Sequence, residues 1–379
     1  MAKRICKIVP AIILAGIFIC IKPISAIAYP LFGTDFVLTI QAMGRTYEFC
    51  YPEIDEYRGE LYLKNAEQVV DGIYYDTLKK PIDAQVRINP ENENPFTLKK
   101  ETNGKCIDKE DLLYKIQTSL AKRQGIVKAK NIVLKPEITI EKLQKSTYRR
   151  AFFQTAYPYS SQERKNNIKL CAEFIGGVML MPYEEFSFNQ RVGERTEERG
   201  FQSAKVIENG KFIDGIGGGV CQVSSTVYNA VLLAGLKVTE RHNHSMLVSY
   251  VEPSFDAMVS YGYADLKFIN DTGGIIFLIA SVKDDNILIS VYGEKPKYSY
   301  KRVSVVKQEI AYGEPERVFN GEIQQGEEKF LVYPKKGAVS EGYLEKYLDG
   351  VLISSSKLSL DKYKALNGVV IYNKSEPIS

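Results

Sequence analysis

Gly215-Ile216-Gly217-Gly218-Gly219 runs directly into Val220-Cys221-Gln222-Val223-Ser224-Ser225-Thr226-Val227-Tyr228-Asn229-Ala230-Val231-Leu232-Leu233-Ala234, and Gly235 closes the stretch. The apolar periodicity predicts a buried helix of about four turns. The glycines ahead of it suit a close backbone approach and can offer N–H donors to an anion or an oxyanion. A free Cys in the first turn is favoured as thiolate, because unpaired N–H groups and the positive end of the helix dipole face it. Cys221 is therefore the candidate nucleophile. Gly217, Gly218, Gly219, Gln222, Ser224 and Tyr228 are candidate substrate contacts, with capping or packing the plainer role for Ser224 and Tyr228.

The chain contains 2 His, and both fall in Glu240-Arg241-His242-Asn243-His244-Ser245. A nearby imidazole can take the thiol proton and later return it. His244 is the favoured base, with His242 supporting it or touching substrate. Asp256 is the expected orienting carboxylate, and Glu240 and Asn243 are its rivals. Arg241 suits a carboxylate clamp for a peptide terminus. A metal site is the competing arrangement, with Cys221, His242 or His244 and Asp256 as ligands and Cys171 as a fourth. Neither a metal nor an organic cofactor is required by the thiol reading.

Outward from this centre, residues 148–294 read as one mixed domain. Asn166 to Ile175 suits a short helix ended by Gly176-Gly177, and strands are expected over 246–251, 275–282 and 287–292. Residues 30–147 read as a separate mixed domain. It has strand candidates at 36–40 and 81–88, a helix capped by Asp108 and stopped near Gly125, and a further strand at 132–134. Residues 300–373 show strand and turn patterns only. The expected fold class is α+β and multi-domain: mixed α/β N-terminal and central domains followed by a small β-rich module.

Charge and length agree with an exported, modular chain. At 379 residues it exceeds one ordinary core. Lys3, Arg4 and Lys7 precede an apolar run from Ile8 to Ile21, and Ala26-Ile27-Ala28 supplies a small-residue cleavage signal, so 1–28 reads as a signal peptide. Its removal takes Lys3, Arg4, Lys7 and Lys22 with it and lowers the formal charge from +4 to zero. That removes the electrostatic argument for nucleic acid. Membrane contact is expected only if the segment is retained. Cys50, Cys106, Cys171 and Cys221 remain, too few for a disulfide scaffold, although Cys50 and Cys106 are placed to pair.

Several stretches carry a family resemblance. Asn167-Ile168-Lys169-Leu170, Glu184 through Asn189, Val192-Gly193, Arg199-Gly200, Gly215 through Ser225, Arg241 through Ser245, Val248 through Val251 and Asp256-Ala257 resemble the VanW family of bacterial cell-surface proteins. This chain departs from the family pattern with Cys171 in place of Ala, and with His242-Asn243-His244 in place of His-Pro-His. Gly342-Tyr343, Leu348 through Val351 and Leu358 through Tyr363 resemble the extracellular G-five module, and residues 30–145 resemble the peptidoglycan-binding module that precedes VanW domains. The resemblance implies an extracellular, cell-wall setting, with peptidoglycan or its peptide precursors as partner. It leaves open whether the chain is a thiol enzyme, performing acyl transfer or amide hydrolysis through Cys221, or a non-catalytic wall-binding or assembly factor.

Overall fold

The computed structural model describes residues 35–208 and 211–373. The expected signal peptide lies outside them. Mixed α/β regions are followed by a β-rich C-terminal region, the expected fold class, and the chain divides into two compact units.

The first unit comprises residues 35–84 and 100–138. Its three-stranded sheet places Leu38–Ala42 between Arg45–Phe49, antiparallel, and Ile126–Lys128, parallel. Leu38, Ile40, Ile54, Ile73, Leu112 and Ile116 form its core. Asp108 caps the Lys109–Ala121 helix by accepting from the Asp111 N–H. That helix ends before Gly125, where Arg123 takes a left-handed φ of 50°. The Ala66–Thr77 helix escapes the sequence reading because only Val70, Ile73 and Thr77 are buried, a narrow face on a mostly polar segment.

The second unit comprises residues 85–99 and 139–373. A four-stranded antiparallel sheet runs in the order Tyr148–Ala156, Asn286–Gly293, Ile276–Lys283, Val178–Leu180. The hairpin Gln85–Ile88 with Phe96–Lys99 packs onto it, Phe96 lying 5.1 Å from the ring of Phe277. The Val220–Leu233 helix crosses against this sheet and against the Gln162–Ile175 helix. Every residue from Gln222 to Leu232 is buried, so the polar ones must bond inside the protein. Thr226 meets Thr155 of the sheet at 2.8 Å, and Gln222 donates to Thr155 and to the Ala156 carbonyl.

Two departures from the sequence expectation bear on the site. Residues 246–251 form no strand. Leu247, Val248, Ser249 and Tyr250 instead line a cavity. The C-terminal region builds one sheet from Ser299–Ile310, Gly337–Leu348 and Val351–Tyr363, and a second from Glu316–Phe319, Val369–Tyr372 and Glu328–Val332. The strand Val351–Tyr363 delivers Asp361 and Tyr363 into the interior, both buried.

Gly219 sets the entry of the central helix at a φ of 106°, and a Cβ there would lie 2.9 Å from Ile168 Cγ1. Gly219→Ala is expected to lose about 1–2 kcal/mol from the left-handed backbone alone, with the contact adding to it. The urea unfolding midpoint checks this, and Cys221 labelling should change with it.

Candidate functional site

Cys221 occupies the second position of the Val220–Leu233 helix, with its sulfur facing a cavity of about 690 Å³. Gly217, Gly218 and Gly219 form one wall, and His244, Leu247, Tyr250, Val259 and Arg195 contribute to others. A Cβ on Gly218 would fall 2.8 Å from both Ala204 Cβ and the Lys205 carbonyl, so only glycine allows this approach. The Cys221 sulfur lies 3.4 Å from the Val259 carbonyl oxygen, to which it donates when protonated.

Asp256 lies behind the imidazole, 1% exposed. One carboxylate oxygen, Oδ2, accepts from the His244 backbone N–H and from His244 Nδ1, each at 2.6 Å. The other, Oδ1, accepts from Arg241 Nη2 at 2.8 Å and from the Tyr363 hydroxyl at 2.6 Å. An isolated antiparallel bridge joins His242 to Met258 and brings the two segments side by side, so that His244 and Asp256 lie within reach of each other. Ser224 donates to the Ala257 carbonyl at 2.6 Å, Ser225 accepts from the Ala257 N–H at 2.9 Å, and Asn229 donates to the Phe255 carbonyl at 2.7 Å. The segment carrying Asp256 is thereby fastened to the helix carrying Cys221.

These contacts set the charge states. Burial opposes a charged imidazole, yet the hydrogen bonds with Asp256 and Cys221 outweigh it and lift His244 to about 9. Burial likewise pushes the Cys221 thiol up, but the hydrogen bond and charge of His244, with the charge of Arg195, hold it below its ordinary range. The sulfur and ring thus favour a thiolate–imidazolium pair. Burial also works against the Asp256 carboxylate, and the His244 hydrogen bond and Arg241 charge prevail, holding it low.

The candidate residues separate into three groups. Cys221, His244 and Asp256 are brought together, with Gly217, Gly218, Gly219 and Gln222 beside them in the cavity wall. His242 is not with them: its ring is exposed and sits 3.1 Å from Glu240. In a regular strand His242 and His244 would share a face, but beyond the bridge at His242 the segment is not a strand. The metal grouping is not assembled either, and among the described residues no set of three His, Cys, Asp or Glu side chains is arranged to hold an ion. Cys171 is fully buried, and burial pushes its thiol far up.

Arg241, expected on substrate, is turned inward. Its Nε donates to the Asp256 carbonyl, Nη2 to the Asp256 side chain and Nη1 to Asp361 at 2.7 Å, while it lies over the buried Tyr228 ring. Ser224 is also wholly buried, so it serves fastening rather than contact.

Four residues near the thiol escape the sequence reading. Arg164 donates to Gln222 at 2.8 Å. Tyr250 bonds Ser225, and burial pushes its phenol well above the usual value. Arg195 lines the cavity, and Tyr363 reaches Asp256 across 107 residues. Motif signals exist for Tyr250, in Val248-Ser249-Tyr250-Val251, and for Tyr363, in Leu358 through Tyr363.

Residues 163–292 match the family described as VanW like protein. The chain is 41% identical over 147 residues to the uncharacterized protein YoaR of Bacillus subtilis (strain 168), covering 39% of this chain and 48% of that protein. It is 30% identical over 155 residues to the vancomycin B-type resistance protein VanW of Enterococcus faecalis (strain ATCC 700802 / V583), covering 39% and 56%. The chain spans about half the length of these curated relatives. Among solved structures, HP0197-G5 covers 20% of this chain and 99% of its own at 17% identity and a TM-score of 0.12. The IgA1 protease G5 domain covers 22% and 96% at 16% identity and a TM-score of 0.15. Likenesses at those scores carry no argument.

Because Asp256 titrates lower in the fold than in the unfolded chain, its contribution to stability is complete above about pH 4 and is lost as pH falls through the folded value. Asp256→Asn takes the carboxylate from the His244 imidazolium and leaves Arg241 with Asp361 alone, and is expected to cost about 3–5 kcal/mol near neutrality. Its deficit against the parent should narrow below pH 4, read by urea unfolding at each pH.

Proposed function

Starting from a chain that is VanW-related over residues 163–292, we propose that it is a thiol acyltransferase or amidase acting on a peptidoglycan peptide or its precursor outside the cell. The observation that carries this reading is the line Cys221–His244–Asp256 at the wall of a cavity. Nucleophile, base and orienting carboxylate stand in the order that covalent acyl chemistry needs. The relative named for vancomycin resistance supports a wall peptide as substrate class.

The Cys221 thiolate adds to the carbonyl carbon of a substrate amide, and the carbonyl π electrons move onto oxygen. N–H groups at the start of the Val220–Leu233 helix receive that oxyanion. The His244 imidazolium gives its proton to the departing amine, the C–N bond breaks and a thioester remains. An incoming amine, for transfer, or water, for hydrolysis, then loses its proton to His244 and attacks the thioester, and the thiolate leaves. Asp256 holds Nδ1 throughout, so the other ring nitrogen faces the sulfur. Arg241 and Tyr363 act through Asp256 and are positioning residues.

Cys221→Ala and His244→Ala are each expected to lower turnover of a muropeptide substrate on the order of 10³-fold or more, followed by mass spectrometry of the products. His242→Ala should leave turnover within a few-fold of the parent. In the parent, iodoacetamide should label Cys221 faster than free cysteine at pH 7. Muropeptide binding without turnover, together with ordinary Cys221 labelling, would establish a wall-binding protein instead.

A further inference from the structure

Arg195 is an oddity of charge placement. Its side chain lines the Cys221 cavity, yet Nη1 and Nη2 are sealed from solvent and have no hydrogen-bond partner among the described residues. Burying a guanidinium without partners is heavily unfavourable. The site is nevertheless shaped to hold it there. Gly217, at a φ of 86°, leaves the space its stem occupies, since a Cβ would come 3.1 Å from Arg195 Cβ and Cγ. The guanidinium carbon lies 5.8 Å from the Phe188 ring centroid.

The groups acting electrostatically on Arg195 are Cys171, Cys221, Asp265 and Arg199. Asp265 keeps its charge but its oxygens bond other donors, the Ser187 hydroxyl and the Asn189 and Leu266 N–H groups, and it does not line the cavity. Cys171 is held neutral by its complete burial. Arg199 is another cation. Of these four groups, the Cys221 sulfur is the one that lines the same cavity as Arg195 and can carry negative charge there.

We infer that Arg195 is the fixed counter-charge of the Cys221 thiolate, a positioning residue that holds the nucleophile ionised. The inference rests on the proposed thiol chemistry and adds a second cation to it. His244 shuttles a proton and so changes charge during the reaction, whereas Arg195 stays charged throughout. Beyond His244 and Arg195, the sulfur feels Arg164, Tyr250 and Cys171, and Glu194, Lys205 and Lys335 line the same cavity. Arg164 differs from Arg195 in that its Nη groups are satisfied by Ser160 and Gln222.

The test is the pH dependence of iodoacetamide labelling at Cys221, read by mass spectrometry of its peptide, in the parent, Arg195→Met, Arg195→Gln and Arg195→Lys. Arg195→Met and Arg195→Gln are expected to raise the labelling midpoint by about one to three pH units, and Arg195→Lys by less. If the Met variant does not fold, the Gln and Lys variants carry the comparison. A lowered midpoint in the parent that persists in the Met or Gln variant overturns the assignment of Arg195 and leaves the thiol chemistry standing. An ordinary midpoint in the parent overturns both.

Discussion

The buried carboxylate of Asp256 is the constraint on which the rest of this site depends. A charge with 1% exposure is tolerable only when its lone pairs are filled. Here four donors from three places in the chain fill them: His244 twice, Arg241 and Tyr363. Satisfying Asp256 orients the His244 ring, turns Arg241 inward and draws a C-terminal strand to the site. Asp361 then balances Arg241, so the network holds two carboxylates against a guanidinium and an imidazolium.

The long strand Val351–Tyr363 is thus part of the site's support rather than an appendage. The Tyr363 hydroxyl donates to Asp256 and accepts from the Ser254 N–H at 2.8 Å. Ser254 has a left-handed φ of 69°, which a serine adopts only when held. It is held by Tyr363 and by Ser340, whose hydroxyl lies 2.7 Å from its own. On the opposite side Ser224, Ser225 and Asn229 fasten the same segment to the central helix. Asp256 therefore sits between two rigid supports, the condition for a reliably oriented base.

Much of the site could be read from the chain because its chemistry is concentrated in scarce residue types. With two histidines in one short segment and a Cys behind a glycine run, the choice of nucleophile and base was narrow. The supporting residues are drawn from abundant types, and nothing local distinguishes Arg195 or Arg164 from the other arginines. Residues 246–251 show the converse, since a strand-like pattern there belongs to a segment that lines the Cys221 cavity and joins no sheet. The Ala66–Thr77 helix leaves little trace in the sequence because its apolar face is narrow.

What the sequence by itself determined is the local physics. It set the buried helix behind its glycines, the free thiol at that helix's positive end, the strands expected over 275–282 and 287–292 and found at 276–283 and 286–293, and the succession of mixed and β-rich regions. These follow from periodicity and backbone preference, which act over a few residues. The tertiary structure decided which histidine meets the sulfur, that Arg241 serves Asp256, and that Arg195 lines the Cys221 cavity with its Nη groups free of hydrogen bonds among the described residues. Those outcomes turn on which charges are sealed from water together. Desolvation depends on the whole packed interior, and no short stretch of sequence contains it.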